Sequence, residues 1–289
     1  MIRTQRAQRM ARLAATRFDV LIVGGGIVGA GIARDAVIRG LKVALIEQGD
    51  FASGTSSKTS KLIHGGLRYL EHGHLRLVFE SLRERQVLQT IAPSLVHPLT
   101  LMIPVYEEHR RPAWKINAGL TLYDLLAWRR NGRPHQMISS SRALTLEPNI
   151  RVDGLKAAGL YLDCQMDDAR LCLANILQAV RFGAVCANYV RLKQWLRADG
   201  RLCGGVVEDL IGGQTAEVQA AIVVNATGPS ADGVRRLNDP AASARLAPTK
   251  GIHLIVRRLA QTGLFVEGSS DHRMFFILPW GDYSLVGTT

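Results

Sequence analysis

A run of glycines near the amino terminus constrains the fold of this chain more than any other feature of its sequence. Residues 24–29 read Gly-Gly-Gly-Ile-Val-Gly and fit the pattern G-x-G-x-x-G. Residues 18–23 before them are apolar and rich in β-branched side chains, which predicts a buried strand. Alanines spaced through residues 27–38 predict a helix, and residues 41–47 form a second apolar run that ends in an acid. The segment therefore predicts a β-α-β unit, half of a nucleotide-binding fold.

Each glycine of this motif has a physical role in binding a dinucleotide. Gly24 permits a tight turn, Gly26 lets the backbone approach a pyrophosphate, and Gly29 lets the helix pack closely on the strand. The helix amino terminus then presents free N–H groups and a partial positive charge to the phosphates. Glu47 lies 21 residues after Gly26, where an acid accepts hydrogen bonds from ribose hydroxyls. We therefore predict a dinucleotide site at this turn.

A second predicted strand and turn indicate which of the two dinucleotides, FAD or NAD, the chain binds. Both cofactors use the first glycine motif, so that motif leaves the choice open. Residues 222–228 read Ile-Val-Val-Asn-Ala-Thr-Gly, an apolar strand followed by a turn at Ala226 and Gly228. This segment resembles the second strand and turn of flavoproteins with two dinucleotide-binding folds, in which the turn lies against the FAD. Together the two turns favour FAD.

Composition and charge exclude several classes of protein. The sequence has no run of about 18 apolar residues, the length needed to span a bilayer, so no membrane span is predicted. No apolar core follows the basic amino terminus, so no secretion signal is predicted. The formal net charge is +12, but aromatic and basic residues are not interleaved as in single-strand binders, so no nucleic-acid partner is expected. The four cysteines lack CxxC spacing, and no metal site is predicted.

The predicted fold class is α/β, with a Rossmann-like FAD-binding domain and an inserted mixed or antiparallel β-sheet substrate domain. This is the arrangement of a flavoprotein with two dinucleotide-binding folds. The predicted segments are a basic amino-terminal arm (1–17), two parts of the FAD-binding domain (18–100 and 151–235), an excursion facing substrate or membrane (101–150), and substrate-domain strands (236–289). Alternating charges over residues 75–91 predict a half-exposed helix, and Asp168 is expected to cap a helix over residues 169–182.

Residues 47–71 carry a long string with a family resemblance. They read EQGDFASGTSSKTSKLIHGGLRYLE, which resembles the signature of FAD-dependent glycerol-3-phosphate dehydrogenases of the aerobic, membrane-associated type. Further matches to this family follow in chain order up to the last residue. They lie at residues 111–114, 123–124, 161, 167–171, 225–229, 250–253, 279–280 and 287–289.

The resemblance implies a reaction and its partners. The family oxidises sn-glycerol 3-phosphate to dihydroxyacetone phosphate: a hydride leaves C2 for the flavin, a base takes the hydroxyl proton, and electrons pass on to quinone. FAD carries the redox chemistry, while the protein positions substrate and tunes charge. The implied partners are glycerol 3-phosphate, quinone and an anionic membrane surface. The implied location is cytoplasmic and peripheral, on the inner face of the cell membrane.

The substrate-side candidates are two histidines and a phosphate-binding group. His253 and His64 are the candidate acid–base residues because imidazole titrates near neutral pH, and the resemblance puts His253 beside substrate and His64 near the flavin. Arg68 offers a planar fork that matches phosphate, and Tyr69 can donate a further hydrogen bond. Thr288 and Thr289 complete the expected substrate-binding set. Which histidine is the base stays open.

The cofactor-side candidates are small or hydroxyl-bearing residues that let a backbone approach a diphosphate. Hydroxyls and glycines at residues 53–60 can wrap the diphosphate and the flavin edge where bulky side chains could not fit. The predicted set is Gly24, Gly26, Gly29, Glu47, Thr55, Ser56, Ser57, Lys61, Gly65, Val190, Ala226 and Gly228.

Two alternative functions stay open. A different flavin oxidoreductase of the same fold, such as an amine or amino-acid oxidase, needs a carboxylate-binding arginine but not the string SKLIHGGLRYL. The chain can also be a truncated, non-catalytic flavin-binding or membrane-interaction module, because family members continue well beyond Thr289. We therefore expect little dehydrogenase activity from the 289-residue chain alone, since part of the phosphate site and of the flavin enclosure lies further on in the family.

Residues 110–130 predict a contact with membrane. This segment, RRPAWKINAGLTLYDLLAWRR, has basic residues at both ends and two tryptophans with leucines between them. Such a basic amphipathic segment can lie among lipid headgroups with its arginines on anionic lipid. The alternative is that its apolar residues pack on the flavin domain.

Overall fold

The computed structural model describes residues 2–128, 132–268 and 271–288. Two compact units result: unit 1 is Met1–Thr59 with Asp168–Thr249, and unit 2 is Ser60–Asp167 with Lys250–Thr289. The helices are α1 (Ile2–Ala15), α2 (Ile27–Ile38), α3 (Leu75–Ile91), α4 (Ala113–Ala127), α5 (Ser140–Leu146), α6 (Asp168–Arg181) and α7 (Ala231–Arg236). The strands are β1 (Arg17–Val23), β2 (Val43–Glu47), β3 (Leu62–Ile63), β4 (Val96–Tyr106), β5 (Gln136–Ser139), β6 (Leu155–Met166), β7 (Val185–Asn188), β8 (Val190–Ala198), β9 (Arg201–Asp209), β10 (Thr215–Asn225), β11 (Leu254–Arg257), β12 (Gly263–Glu267), β13 (Met274–Trp280) and β14 (Tyr283–Gly287).

Unit 1 is built on a six-stranded sheet of order β7-β2-β1-β10-β9-β8. The first four strands are parallel, and β9 and β8 are antiparallel to their neighbours. Helices α2 and α6 pack on one face, where Ala30 and Ala33 are completely buried and allow close approach to the sheet. The predicted β-α-β unit is present as β1, α2 and β2, and it belongs to the parallel part of this sheet.

The first residues form a packed helix, so the prediction of an arm over residues 1–17 is wrong. Met10 and Leu13 of α1 are 4% and 0% exposed and join the core on the other face of the sheet. Residues three apart lie on one face of a helix, so this pair forms a short apolar stripe. The arginines that suggested an arm lie mostly on the remaining faces, and Arg6 reaches Asp209 at the end of β9.

Unit 2 is built on a mixed eight-stranded sheet, as the fold class predicted. The main path is β11-β14-β13-β12-β4-β6-β3, and β5 pairs with β6. All pairs are antiparallel except β12 with β4. Helices α3 and α4 contribute Leu82 and Leu120 to the core on one face, and α5 contributes Ala143 to the core on the other.

The predicted segment boundaries at residues 100 and 150 differ from the division into units. Residues 60–100 and 151–167 lie in unit 2, because β3 and β4 both pair with β6. The boundary at residue 100 falls inside β4, which runs from Val96 to Tyr106. These pairings join parts of the chain that are far apart in sequence, so composition along the chain does not reveal them. None of the helices described is long and apolar enough to cross a bilayer.

Candidate functional site: a glycine turn in unit 1 and an arginine-lined cavity in unit 2

The glycine turn leads into a helix whose amino terminus is open. Helix α2 starts directly after Gly26, which as N-cap residue has no side chain to accept a hydrogen bond. Ile27 N donates a hydrogen bond of 2.9 Å to Ser56 Oγ, which brings the predicted hydroxyl loop to the start of the helix. The first N–H groups of a helix have no partner within the helix, so this end offers donors and a partial positive charge to an anion.

The two predicted glycine turns lie side by side. Strands β1 and β10 pair in parallel with Val23 opposite Asn225, and Ala226 N donates to Val23 O at 2.8 Å. Gly24 has a φ of +115°, and a Cβ there would lie 2.4 Å from Ala226 O. A Cβ on Gly29 would lie 1.9 Å from Gly24 O. Only glycine fits at both positions, and the backbone is left open to a ligand.

Glu47 closes β2 beside this turn. Its Oε2 accepts a hydrogen bond of 2.7 Å from Gly25 N, and its Oε1 accepts one of 2.8 Å from Gly49 N. The carboxylate is thus fixed at the carboxyl end of the parallel strands, where open α/β sheets bind their ligands. Its predicted bond to ribose stays a prediction.

Asp168 ties the hydroxyl loop to α6, a role that the sequence analysis missed. The side chain is 4% exposed, and its Oδ2 accepts hydrogen bonds from Thr59 N and Thr59 Oγ1 at 3.2 and 2.8 Å. Further along α6, Cys172 Sγ lies 3.6 Å from Gly25 O. The sequence predicted Asp168 only as a helix cap, because its second partner lies 109 residues away.

These residues fit the diphosphate of a dinucleotide. The cradle consists of glycines without room for side chains, an uncapped helix terminus, and the hydroxyl loop with Thr55, Ser56 and Ser57 in a single 3-10 turn. Gly228, with a φ of +55°, ends the second turn.

Three other cofactor candidates lie in different surroundings. The side chain of Val190 is 1% exposed in the core of unit 1, so any cofactor contact must go through its backbone. Lys61 and Gly65 both belong to unit 2. Lys61 is 8% exposed, with Nζ 5.2 Å from the centre of the Trp280 ring. Gly65 packs against Tyr123 and Leu82, which leave no room for a Cβ.

A cavity of about 110 Å³ in unit 2 brings the substrate-side candidates together. Four of the predicted residues line it: His64, Arg68, Tyr69 and Thr288. The remaining lining residues are Ser60, Gly66, Leu67, Tyr161, Asp163, Phe265 and Phe276. Thr289, the other threonine predicted to bind substrate, lies outside the described residues.

His253 reaches this cavity through a serine. Its Nε2 lies 3.0 Å from Ser60 Oγ, and Ser60 is part of the cavity wall. The ring of His64 stands against Phe276, with 6.4 Å between the ring centres. Both candidate histidines therefore lie beside the same cavity. Ser60 orients the ring of His253 by a hydrogen bond, whereas the ring of His64 contacts an aromatic side chain.

Arg68 is exposed and forms no ion pair with any described residue. Arg111 of the same unit, in contrast, forms ion pairs with Glu71 and Glu267. An arginine that lines a cavity without an acidic partner is available for an anion, and its fork suits a phosphate.

A buried charged network lies beneath the segment that carries Arg68. Arg85 and Asp163 form an ion pair, and Tyr123 Oη donates a hydrogen bond of 2.8 Å to Asp163 Oδ1. Burial and the nearby Asp163 carboxylate raise the pKa of Tyr123 well above its ordinary value. The prediction of a half-exposed α3 missed that Arg85 faces inward, 1% exposed. Its helical spacing with Val78 and Leu82 was the available signal.

Four parallel strands that end in paired glycine turns, together with a separate mixed sheet, define the class of two-unit dinucleotide-binding oxidoreductases. The sequence profile of the family described as "FAD dependent oxidoreductase" matches residues 19–289, and the chain belongs to this family. The family confirms the predicted fold class and the prediction of FAD as the cofactor.

Curated relatives agree with the resemblance seen in residues 47–71. The probable mitochondrial glycerol-3-phosphate dehydrogenase of Caenorhabditis elegans is 42% identical over 284 residues, which cover 94% of this chain and 39% of the relative. The alpha-glycerophosphate oxidase of Streptococcus pneumoniae is 40% identical over 94% of this chain and 46% of its own length. The chain thus spans less than half the length of these relatives.

A solved structure gives the same result. The glycerol-3-phosphate dehydrogenase from Bacillus halodurans, complexed with FAD, is 30% identical and superimposes with a TM-score of 0.78. The superposition covers 99% of this chain and 50% of that protein. The sequence resemblance to FAD-dependent glycerol-3-phosphate dehydrogenases is therefore confirmed.

Proposed function

We propose that this chain is the FAD-binding part of an enzyme that oxidises sn-glycerol 3-phosphate to dihydroxyacetone phosphate and passes the electrons to quinone. The observation that carries the proposal is Arg68: an exposed arginine without an acidic partner lines one cavity together with Tyr69, His64 and Thr288. The relatives named for glycerol 3-phosphate support the substrate.

The side chains of the cavity have separate roles in this reaction. Arg68 binds the phosphate of the substrate, and Tyr69 donates a further hydrogen bond to it. His253 takes the proton of the C2 hydroxyl through Ser60: the Ser60 hydroxyl passes its own proton to His253 Nε2 over the 3.0 Å contact and receives the substrate proton in its place. FAD, when bound, supplies the two-electron redox chemistry, while the paired glycine turns hold its diphosphate.

We also propose that α4 contacts the membrane surface, which would place the enzyme peripherally on the inner face of the cell membrane. Trp114, Leu125 and Trp128 are 72%, 63% and 71% exposed, whereas Leu120 and Tyr123 are buried. The exposed side of this helix and the residue after it therefore carry apolar and aromatic side chains next to the polar Lys115, Asn117 and Thr121, a mixture that suits the headgroup region. Arg129 and Arg130, the basic end of the predicted segment, lie outside the described residues.

The reaction is tested by completing the chain to the length of its relatives. A chimera that continues it with the remaining length of the Streptococcus pneumoniae relative is loaded with FAD and assayed with an artificial electron acceptor. We expect turnover with sn-glycerol 3-phosphate and none with glycine or L-proline. Turnover of an amino acid instead would support the amine or amino-acid oxidase alternative and overturn the proposal. A chimera that holds FAD but oxidises none of these substrates would also overturn it.

A further inference from the structure

We infer that the buried side chains of Tyr123, Asp163 and Arg85 are positioning residues that hold the Arg68 segment in place through the backbone N–H of Gly65. The inference rests on the proposed function for its effect on substrate binding, but its structural part is testable without substrate.

The contacts converge on one backbone group. Gly65 N donates hydrogen bonds to Tyr123 Oη at 2.8 Å and to Asp163 Oδ1 at 3.2 Å. Tyr123 Oη in turn donates to Asp163 Oδ1 at 2.8 Å. Arg85 Nη1 donates to the same carboxylate oxygen and to Leu162 O, the latter at 3.0 Å. Residues from α3, α4 and β6 thus meet at one N–H group of the loop.

Burial makes this arrangement unusual. Arg85, Tyr123 and Asp163 are 1%, 0% and 2% exposed. Taking an arginine and a carboxylate out of water is costly, and apolar residues of the same shape often stabilise a core equally well or better. A contribution to stability alone therefore does not explain the network. Its convergence on Gly65 gives it a positional role, because a buried hydrogen-bonded network fixes one backbone arrangement.

The segment above the network depends on this attachment. Gly65 has no room for a Cβ, which would lie 2.3 Å from Tyr123 Oη. Gly66 then turns the chain with a φ of +77° into the 3-10 turn that carries Arg68. Since Arg68 forms no ion pair with any residue described, no acidic side chain holds its guanidinium, and the backbone beneath it sets its direction.

The charge of the network suits a place below an anion site. A backbone N–H needs an acceptor, and the carboxylate of Asp163 also lines the cavity. Alone, that negative charge would repel a phosphate bound by Arg68. The Arg85 guanidinium compensates it, so the loop is held by a strong acceptor without a net negative charge beneath the site.

The test compares Tyr123→Phe with Tyr106→Phe in the 289-residue chain loaded with FAD. Tyr106 is a matched control, because its Oη donates a 3.0 Å hydrogen bond to Arg151 O away from the Gly65 segment. Hydrogen–deuterium exchange is followed in the peptide that covers residues 62–72. We expect exchange about tenfold faster in Tyr123→Phe, because one of two bonds to Gly65 N is lost, with α2 peptides unchanged. Tyr106→Phe leaves the peptide at the wild-type rate.

Ligand affinity supplies the readout that a purely structural role would not change. In the chimera completed with the Streptococcus pneumoniae relative, we expect Tyr123→Phe to weaken the binding of sn-glycerol 3-phosphate by about three- to tenfold and that of FAD by less than about twofold. Asp163→Asn, which keeps the shape but not the charge, should have the larger effect if it folds. Equal acceleration of exchange throughout unit 2, or no acceleration at residues 62–72, would overturn the inference. A wild-type chimera that binds FAD but no glycerol 3-phosphate contradicts the proposed function instead, and the exchange data still decide the positioning role.

Discussion

Arg68 and Arg85 show how differently two arginines of one unit are used. Arg85 is buried against Asp163, whereas Arg68 is exposed beside a cavity without an acidic partner among the described residues. The first is held by its ion pair and the second is free to bind an anion. A substitution at Arg68 should therefore affect ligand binding and leave the stability of the fold nearly unchanged.

Arg68→Ala in the chimera should weaken sn-glycerol 3-phosphate far more than it weakens FAD. A lost charge-assisted contact is worth roughly 1.5–3 kcal/mol, or about a ten- to hundredfold loss of affinity. Steady-state KM and isothermal calorimetry measure it. Arg83→Ala is the control, because Arg83 is also exposed in unit 2 but does not line the cavity. Equal effects of the two variants would remove Arg68 from the phosphate site.

At this scale, the sequence predicted the residues whose chemistry depends on local backbone needs. Gly24 and Gly29 were predictable because a tight turn followed by a helix demands them at fixed spacing. Asp163 and its partner Arg85 were not, because they are 78 residues apart and only the fold joins them. An acid inside a strand gives no sign of its partner.

Helix α1 is the element whose role differs most from its sequence pattern. Arg6 Nε donates to both oxygens of Asp209 at 2.8 and 2.9 Å, and its other nitrogens donate to Asn188 O and Tyr189 O. These carbonyls immediately precede β8. One arginine therefore joins α1 to two strands of unit 1.

Arg6→Ala should destabilise unit 1 by roughly 1.5–3 kcal/mol, because several hydrogen bonds to a charged group are lost together. Arg9→Ala, on the exposed side of the same helix, should change stability by less than about 0.5 kcal/mol. Urea unfolding monitored by circular dichroism measures both. If Arg6→Ala leaves the free energy of unfolding unchanged, the apolar contacts of Met10 and Leu13 alone hold the helix.

The ion pairs of Arg111 with Glu71 and Glu267 are expected to make the stability of unit 2 depend on pH. Hydrogen bonds from Arg111 hold the pKa of Glu71 below its ordinary value of 4.5. The pKa of Glu267 is also lowered, because Arg110 N and Arg111 outweigh the opposing effect of burial. A carboxylate with a lowered pKa in the folded state contributes stability above its unfolded value, and this contribution is lost as pH falls through the folded value.

Arg111→Gln should therefore lower the free energy of unfolding at neutral pH by roughly 1–2 kcal/mol, after allowance for the partial exposure of these pairs, and Tm should fall with it. The difference from wild type should shrink as pH falls below about 4.5. Arg76→Gln is the control: its pair with Glu80 on α3 is largely exposed, so little change is expected at any pH. A difference that stays constant from pH 7 down to about pH 3 would mean that Arg111 acts by packing and not by charge.

Elements with a regular pattern were predicted well and their partners were not. The strand expected at residues 18–23 is β1, and the helix expected after Asp168 is α6. The inward face of α3 and the packing of α1 were missed, because charged residues dominate both segments and hide two or three buried positions.

At the scale of the whole molecule, the exposed face of α4 makes membrane contact testable. Trp114→Ser with Leu125→Ser should reduce flotation with anionic liposomes about tenfold, since apolar burial and charge together drive such binding. Binding of the wild type should weaken at high salt. Leu177→Ser on α6 is the control, because Leu177 is 60% exposed in unit 1. Equal flotation with neutral lipid, or none with any lipid, would mean that α4 does not bind anionic membrane.

The two-unit organisation was predictable as a class but not in its boundaries. The glycine motif and the antiparallel strands near the chain end indicated a nucleotide-binding domain with a second sheet. The chain passes from one unit to the other three times, after Thr59, after Asp167 and after Thr249. The first two crossings follow from the pairing of β3 with β6, about a hundred residues apart. Residue periodicity carries no information on such pairing.

The most direct test of the account is a titration of the purified chain with FAD, followed by flavin fluorescence and repeated with NAD. We expect the wild type to bind one FAD and NAD not to compete for the site. Gly29→Ala should abolish binding, because its Cβ would lie 1.9 Å from Gly24 O at the turn. Gly31→Ala, in the same helix with nothing within 4 Å of its Cβ, should bind FAD like the wild type. A folded wild-type chain that binds NAD in preference to FAD, or a Gly29→Ala variant that binds FAD as tightly as the wild type, would contradict the account.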